Sequence, residues 1–281
     1  MSSDALTTPA FAERRTEAGR PLRLASELAD VHRRLPLLYG LVRRDLTVRY
    51  KRSILGFLWT MLHPLLLLLI FLAVFSTFFR DRAPRYEIYF LSAYVAWNFF
   101  AQTTVNAMAS VAWNGPLLKR VRVPPALFTL SSVISGLVNL GLSLLVLFAI
   151  MFATHAPIHA AMLFLPVSLL IVAIFTFGVA MGLTAVSYFF GDVREMIEAG
   201  LPALMYLTPI IYPLSIVPAR FLGIIRINPL YYMVELVRAP IYDGVLPSTR
   251  TLSIASLAAI AAVIVGWQIF RRLAPRFHAH V

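Results

Sequence analysis

Long runs without a single charge dominate the chain: residues 54–79, 88–118, 123–191, 199–219 and 251–270 contain no Asp, Glu, Lys or Arg. A helix needs about 20 apolar residues to cross the hydrocarbon core of a bilayer. The third run is too long for one helix and is broken by Thr154, His155, Ala156, Pro157, Ile158 and His159. The pattern therefore predicts six spans at about 54–79, 88–114, 125–152, 160–189, 196–213 and 251–270. A further apolar stretch at 221–234 is interrupted by Arg226 and Asn228-Pro229 and is too short to cross. It reads as a re-entrant segment before the last span, because broken backbone at membrane depth needs protein or water around it. The expected fold class is an all-α integral membrane protein.

The flanking segments add detail. Residues 1–36 form a polar tail, expected to be flexible and cytoplasmic, and 273–281 form a second tail. In 37–52, Leu38, Leu41, Val42, Leu46 and Val48 fall on one side at helical spacing, with Arg43, Arg44, Thr47 and Lys51 on the other. Such a helix should lie in the membrane interface. Asp45 and Arg49, four apart on the apolar side, are placed to pair. Residues 53–56 bend this helix into the first span, where Pro64 predicts a kink. His63 beside it reads as a headgroup-level hydrogen-bonding group, with a proton relay as the alternative.

Residues 117–123 lie between Gly115-Pro116 and Pro124-Pro125 and read as a short cytoplasmic helix that docks on a partner. Gly178 and Gly182 make a small-xxx-small pair suited to close helix packing. The charged residues of 188–195 predict a tight turn, and Pro202, Pro209 and Pro213 an irregular fifth span lining a cavity.

Charge then sets the orientation. The net charge is +12, with 25 basic and 13 acidic residues, and only 14% of residues are charged. Most of the basic residues fall before the first span, in the loop at 119–122, at Arg194 and after the last span. With six spans this places both termini in the cytoplasm. The same placement gives the basic residues a cause that does not involve nucleic acid. There is no cysteine, so no disulfide or thiolate site exists. No cleavable apolar segment opens the chain, and the first span is expected to act as its insertion signal.

No GxxxxGK[ST] phosphate loop, HExxH, CxxC or GxSxG motif occurs in the sequence. No pair of intramembrane carboxylates provides a relay, which argues against an ion-coupled carrier. The second span stands out instead. It carries Tyr94, Trp97, Phe99, Phe100 and Trp113 with Asn98, Gln102, Thr103, Thr104 and Asn106 among them. Ring faces and amides together suit a passage for sugars. Interfacial aromatic belts and interhelical hydrogen bonds are the plainer alternative.

The run Leu41-Val42-Arg43-Arg44-Asp45-Leu46-Thr47-Val48-Arg49-Tyr50-Lys51-Arg52-Ser53-Ile54-Leu55-Gly56-Phe57-Leu58-Trp59, followed by His63-Pro64-Leu65, resembles the opening of type-2 ABC transporter permeases, nearest the polysaccharide and O-antigen exporters. The bracketed loop at 114–125, Phe190-Gly191-Asp192-Val193-Arg194 and Asn228-Pro229-Leu230 follow in the matching order, over roughly residues 37–272. The resemblance implies a homodimer in the bacterial inner membrane, with two copies of a separate ABC ATPase that uses ATP and Mg. This chain would bind no cofactor of its own.

A lipid-linked glycan is the implied substrate. Leu117, Leu118, Lys119, Arg120 and Arg122 map onto the coupling helix, 37–52 onto the gate helix, and 214–240 onto the outer closure. Arg43, Arg44, Arg49, Lys51 and Arg52 would attract the pyrophosphate of the lipid carrier. His63 stands where many relatives carry Gln, and Gly191 where many carry a basic residue. Three alternatives remain: a permease of the same fold exporting a small molecule or drug, a membrane-embedded enzyme, and a scaffold without transport.

Overall fold

The computed structural model describes residues 35–50, 58–79, 83–113 and 126–273. Helices and turns account for them, and there is no strand among the described residues. Helix α1 is Leu35–Tyr50, α2 is Leu58–Phe79 and α3 is Tyr86–Trp113. Helix α4 is Ala126–Ala153, and a 3-10 turn at Ala160–Phe164 leads into α5, Leu165–Phe189. Helix α6 is Gly191–Leu207. Two short helices follow, α7 at Ala219–Ile227 and α8 at Pro229–Arg238, then a π turn at Ala239–Asp243 and α9 at Thr249–Leu273.

Among the described residues, three segments are long and apolar enough to cross a membrane: Ala126–Ala153, Ala160–Phe189 and Thr249–Leu273. Helix α2 adds an apolar stretch at Leu62–Phe75, with Pro64 inside the helix. Helix α3 has 28 residues, but its amides and threonines dilute its apolar character.

Helix α3 is the centre of the fold. It packs against α2, α4, α5, α6 and α8. With neighbours on almost every side, nearly all its described side chains from Ile88 to Val111 are buried. The closest helix pair is α5 with α9. A Cβ on Gly178 would overlap the backbone of Ala262 and Val263, and one on Gly266 would overlap the Gly178 carbonyl. Gly266 thus completes the glycine face that Gly178 and Gly182 begin.

Helix α1 lies against α4. Leu41 is its anchor, buried with Val111 of α3 and Leu127 and Phe128 of α4. The apolar side is narrower than the spacing predicted, since Val48 is 69% exposed. Asp45 pairs with its neighbour Arg44 at 3.1 Å and accepts a hydrogen bond from Ser131 at 3.3 Å. The expected partner Arg49 has its side chain outside the described residues.

The predicted fifth span begins earlier and ends sooner than expected. The tight turn read at 188–195 is made at Phe190, between α5 and α6, and the charged residues after it already belong to the first turns of α6. Asp192 lies in the first turn, where a carboxylate is favoured by the helix dipole, and Arg194 pairs with Glu198 one turn on at 2.6 Å. The helix tolerates Pro202 but stops at Leu207, and Pro209 and Pro213 lie in the non-helical stretch that follows. The break at Asn228-Pro229 separates α7 from α8. Asn228 caps α8 by accepting from the Leu230 N–H at 3.0 Å, with Pro229 at the first helical position.

Candidate functional site

The one side of α3 that its neighbours leave open carries amides. Asn98, Gln102 and Asn106 are spaced four apart, and they are half-buried, exposed and half-buried within an otherwise buried helix. Residues four apart share a helix face. The stripe ends at Trp113, which is 67% exposed. The Arg194 guanidinium of α6 lies 5.9 Å from the centroid of the Trp113 ring. This places the Phe190–Arg194 motif beside the end of the second predicted span.

The lower part of the stripe opens into a cleft of about 410 Å³ between α1, α3 and α4. Arg44, Asp45, Asn106, Ser135, Asn139 and Trp113 are among the residues lining it. Gly136 lets α3 and α4 approach here, because a Cβ would overlap the Thr103 hydroxyl.

At the other end of α3 a second polar group gathers around the non-helical stretch after α6. Tyr86 donates its hydroxyl to the Ile211 carbonyl at 2.7 Å, and Tyr89 donates to that of Tyr212 at 2.8 Å. Arg238 of α8, only 5% exposed, donates to the Pro209 carbonyl at 2.7 Å and to that of Ile210 at 3.4 Å. Its guanidinium carbon sits 4.0 Å from the centroid of the Tyr89 ring. Asn228 donates to the Thr208 hydroxyl at 2.9 Å. Four successive carbonyls without helical partners are therefore met by side chains of α3 and α8. Glu235, one turn before Arg238, is held above the usual carboxylate range by burial, which the Arg238 charge opposes.

Of the rings proposed as a sugar path, Tyr94, Trp97, Phe99 and Phe100 are buried at 3%, 5%, 3% and 6% exposure, whereas Trp113 is open. Phe100 packs on Phe175 of α5 with centroids 5.7 Å apart, on Trp97 at 6.0 Å, and Tyr94 stacks on Phe90 at 5.3 Å. Within one protomer these four rings are buried, and the Phe100–Phe175 contact joins α3 to α5. Arg43 and Arg44 are exposed on α1. Lys51, Arg52, the Arg49 side chain and the coupling residues Leu117, Leu118, Lys119, Arg120 and Arg122 lie outside the described residues.

The sequence reading did not single out Ser132, Ser135 and Asn139. Their spacing of three and four puts them on one face of α4, and that spacing was the available signal. Tyr86, Tyr89 and Arg238 give no comparable pattern, since their acceptors are backbone carbonyls more than a hundred residues away for the tyrosines.

Apolar helices surrounding an amide-bearing central helix, with a basic helix against their end, define a helical membrane protein built around a polar face. The family model described as ABC-2 type transporter matches residues 36–242, and the chain belongs to that family. The chain is 30% identical over 242 residues to an O-antigen export system permease protein RfbA of Klebsiella pneumoniae, covering 86% of this chain and 93% of that one. It is 31% identical to the protein of the same name in Myxococcus xanthus, over 82% of this chain and 88% of the relative. A polysialic acid transport protein KpsM of Escherichia coli is 20% identical over 83% and 91%.

Proposed function

We propose that this chain is the transmembrane subunit of an ATP-driven exporter that moves a polyprenyl-pyrophosphate-linked polysaccharide out of the cytoplasm. Relatives named for O-antigen export, alike over most of both chains, carry this reading. The amide stripe of α3 supports it physically. Asn98, Gln102 and Asn106 on an open face are costly against lipid and useful along a wet path for hydroxylated cargo.

The assembly that fits is a homodimer with two copies of a separate ABC ATPase, which binds ATP and Mg and performs the hydrolysis. The chain then crosses the inner membrane six times with both termini inside. The three apolar helices α4, α5 and α9 are joined by α2, α3 and α6, and the pair α7–α8 forms the re-entrant element. The loop containing Lys119, Arg120 and Arg122 couples the ATPase to the path, and the arginines of α1 face the lipid headgroups. No nucleic acid takes part.

The test is to co-express the chain with its ATPase, purify the complex and compare hydrolysis between the native protein and a Lys119→Ala/Arg120→Ala/Arg122→Ala variant. Stable co-purification with altered hydrolysis is expected. Failure to associate with any ATPase would overturn the reading.

A further inference from the structure

We propose that the cleft between α1, α3 and α4 is a binding subsite for a neutral sugar, the residue of the glycan nearest its lipid carrier. The proposal rests on the exporter reading and adds a ligand class and a place to it. The cleft, at about 410 Å³, lies within the roughly 300–1,000 Å³ usual for small-molecule sites.

Its charge balance selects the ligand. The two charged residues in the lining, Arg44 and Asp45, are paired with each other at 3.1 Å. A phosphate would need uncompensated donors and would meet the Asp45 carboxylate. What remains are amides, hydroxyls and an indole, the groups that bond sugar hydroxyls and cover an apolar ring face.

Ser135 makes the second observation. Two neighbouring serines of α4 are satisfied on their own helix, Ser132 donating to the Phe128 carbonyl at 3.1 Å and Ser143 to that of Asn139 at 3.0 Å, while Ser131 has the Phe128 carbonyl at 2.9 Å and Asp45 at 3.3 Å as its two acceptors. The Ser135 hydroxyl is buried in the same helix with no hydrogen-bond partner among the described residues. An unpartnered buried hydroxyl is costly. A ligand hydroxyl in the cleft would remove that cost. Trp113 at the rim leaves most of its side chain exposed, a ready surface for the C–H face of a pyranose. Asn106 and Asn139 reach the same space from α3 and α4.

The experiment measures equilibrium binding of two fluorescently tagged lipids to the purified permease–ATPase complex in nanodiscs. One is bare polyprenyl pyrophosphate, and the other is the same lipid carrying one neutral hexose. The native complex should bind both, the hexose-bearing lipid more tightly. A Ser135→Ala/Asn139→Ala variant should weaken binding of the hexose-bearing lipid about tenfold, the loss expected of two hydrogen bonds, and leave the bare lipid unchanged. Trp113→Ala, at an exposed position that does not touch the core, should produce the same selective loss, and Trp113→Phe should restore it.

Equal weakening for both lipids would make the cleft a phosphate or lipid site and overturn the proposal. Unchanged binding of both in all variants would overturn it too, while leaving the exporter reading intact. A native complex that binds neither lipid would overturn the exporter reading along with the subsite.

Discussion

At Arg238 a charged side chain is held inside the protein, and its surroundings decide whether this stabilises the fold. Its guanidinium meets the Pro209 and Ile210 carbonyls and the face of Tyr89, while Nε has no hydrogen-bond partner among the described residues. Removing it strands two buried carbonyls and leaves a cavity. We expect Arg238→Ala to lower stability by about 2–4 kcal/mol, and Tyr89→Phe, which removes only a hydroxyl, by about 1 kcal/mol. Thermal unfolding of the detergent-solubilised protein, followed by far-UV circular dichroism, measures both. If Arg238→Ala costs no more than Tyr89→Phe, the guanidinium contributes nothing beyond filling space.

Glu235 gives a pH dependence of known sign. Its carboxyl is raised in the folded protein, so the native state holds its proton more tightly than the unfolded chain does. Its contribution to stability is fully present below the unfolded value and is lost as the pH rises through the folded one. Glu235→Gln should therefore flatten the fall in melting temperature as the pH rises above about 4. A variant that tracks the native protein across that range would rule Glu235 out as the source.

Among the helices, the contact of α5 with α9 is the most demanding because it is made by backbones. Gly266→Ala must push α9 away from the Gly178 carbonyl, an overpacking change of about 1–3 kcal/mol. Gly141→Ala in α4 is the control, since nothing lies within 4 Å of its Cβ position. Comparable melting temperatures for the two variants would show that the helices can part at no cost.

At the same scale, the charge map located α4, α5 and α9 closely, because long apolar runs between charges leave little choice. It placed the start of α6 late, at about 196 instead of Gly191, because Asp192, Arg194 and Glu195 read as part of the turn although their order suits a helix N-terminus. The rings of α3 were harder still. Trp97 and Phe100 look alike whether they line a passage or pack a core, and only the ring of helices around α3 makes them core. The fourfold spacing of Asn98, Gln102 and Asn106 was in the sequence all along. It identifies the open face once the other faces are known to be covered.

On the scale of the whole molecule, α6 has no buried residue in a single protomer. A helix with Met196 and Tyr206 at 70% and 58% exposure, beside the amide face of α3, needs lipid or protein against it. The homodimer reading assigns that place to the second copy. Because the chain has no cysteine, one introduced thiol is unambiguous. Ala203→Cys on exposed α6 should cross-link under mild oxidation in membranes into a species of twice 31.4 kDa. A control thiol at Ile260 of α9, also exposed, should stay monomeric. Cross-linking at Ile260 instead would move the dimer contact to α9.

The pairing of α5 with α9 also has a consequence in time. A ribosome releases the chain from its N-terminus, so α5 enters the bilayer well before Thr249–Leu273 has been made. Until then Gly178 and Gly182 face lipid with nothing small enough to nest against them, and α8, which packs on α9 as well as α3, lacks one wall of its pocket. The unfinished protein thus lacks the helix that packs on both α5 and α8. Truncation just before that helix should leave a nascent chain that inserts normally and is then cleared by membrane proteases, with α8 never locked in place.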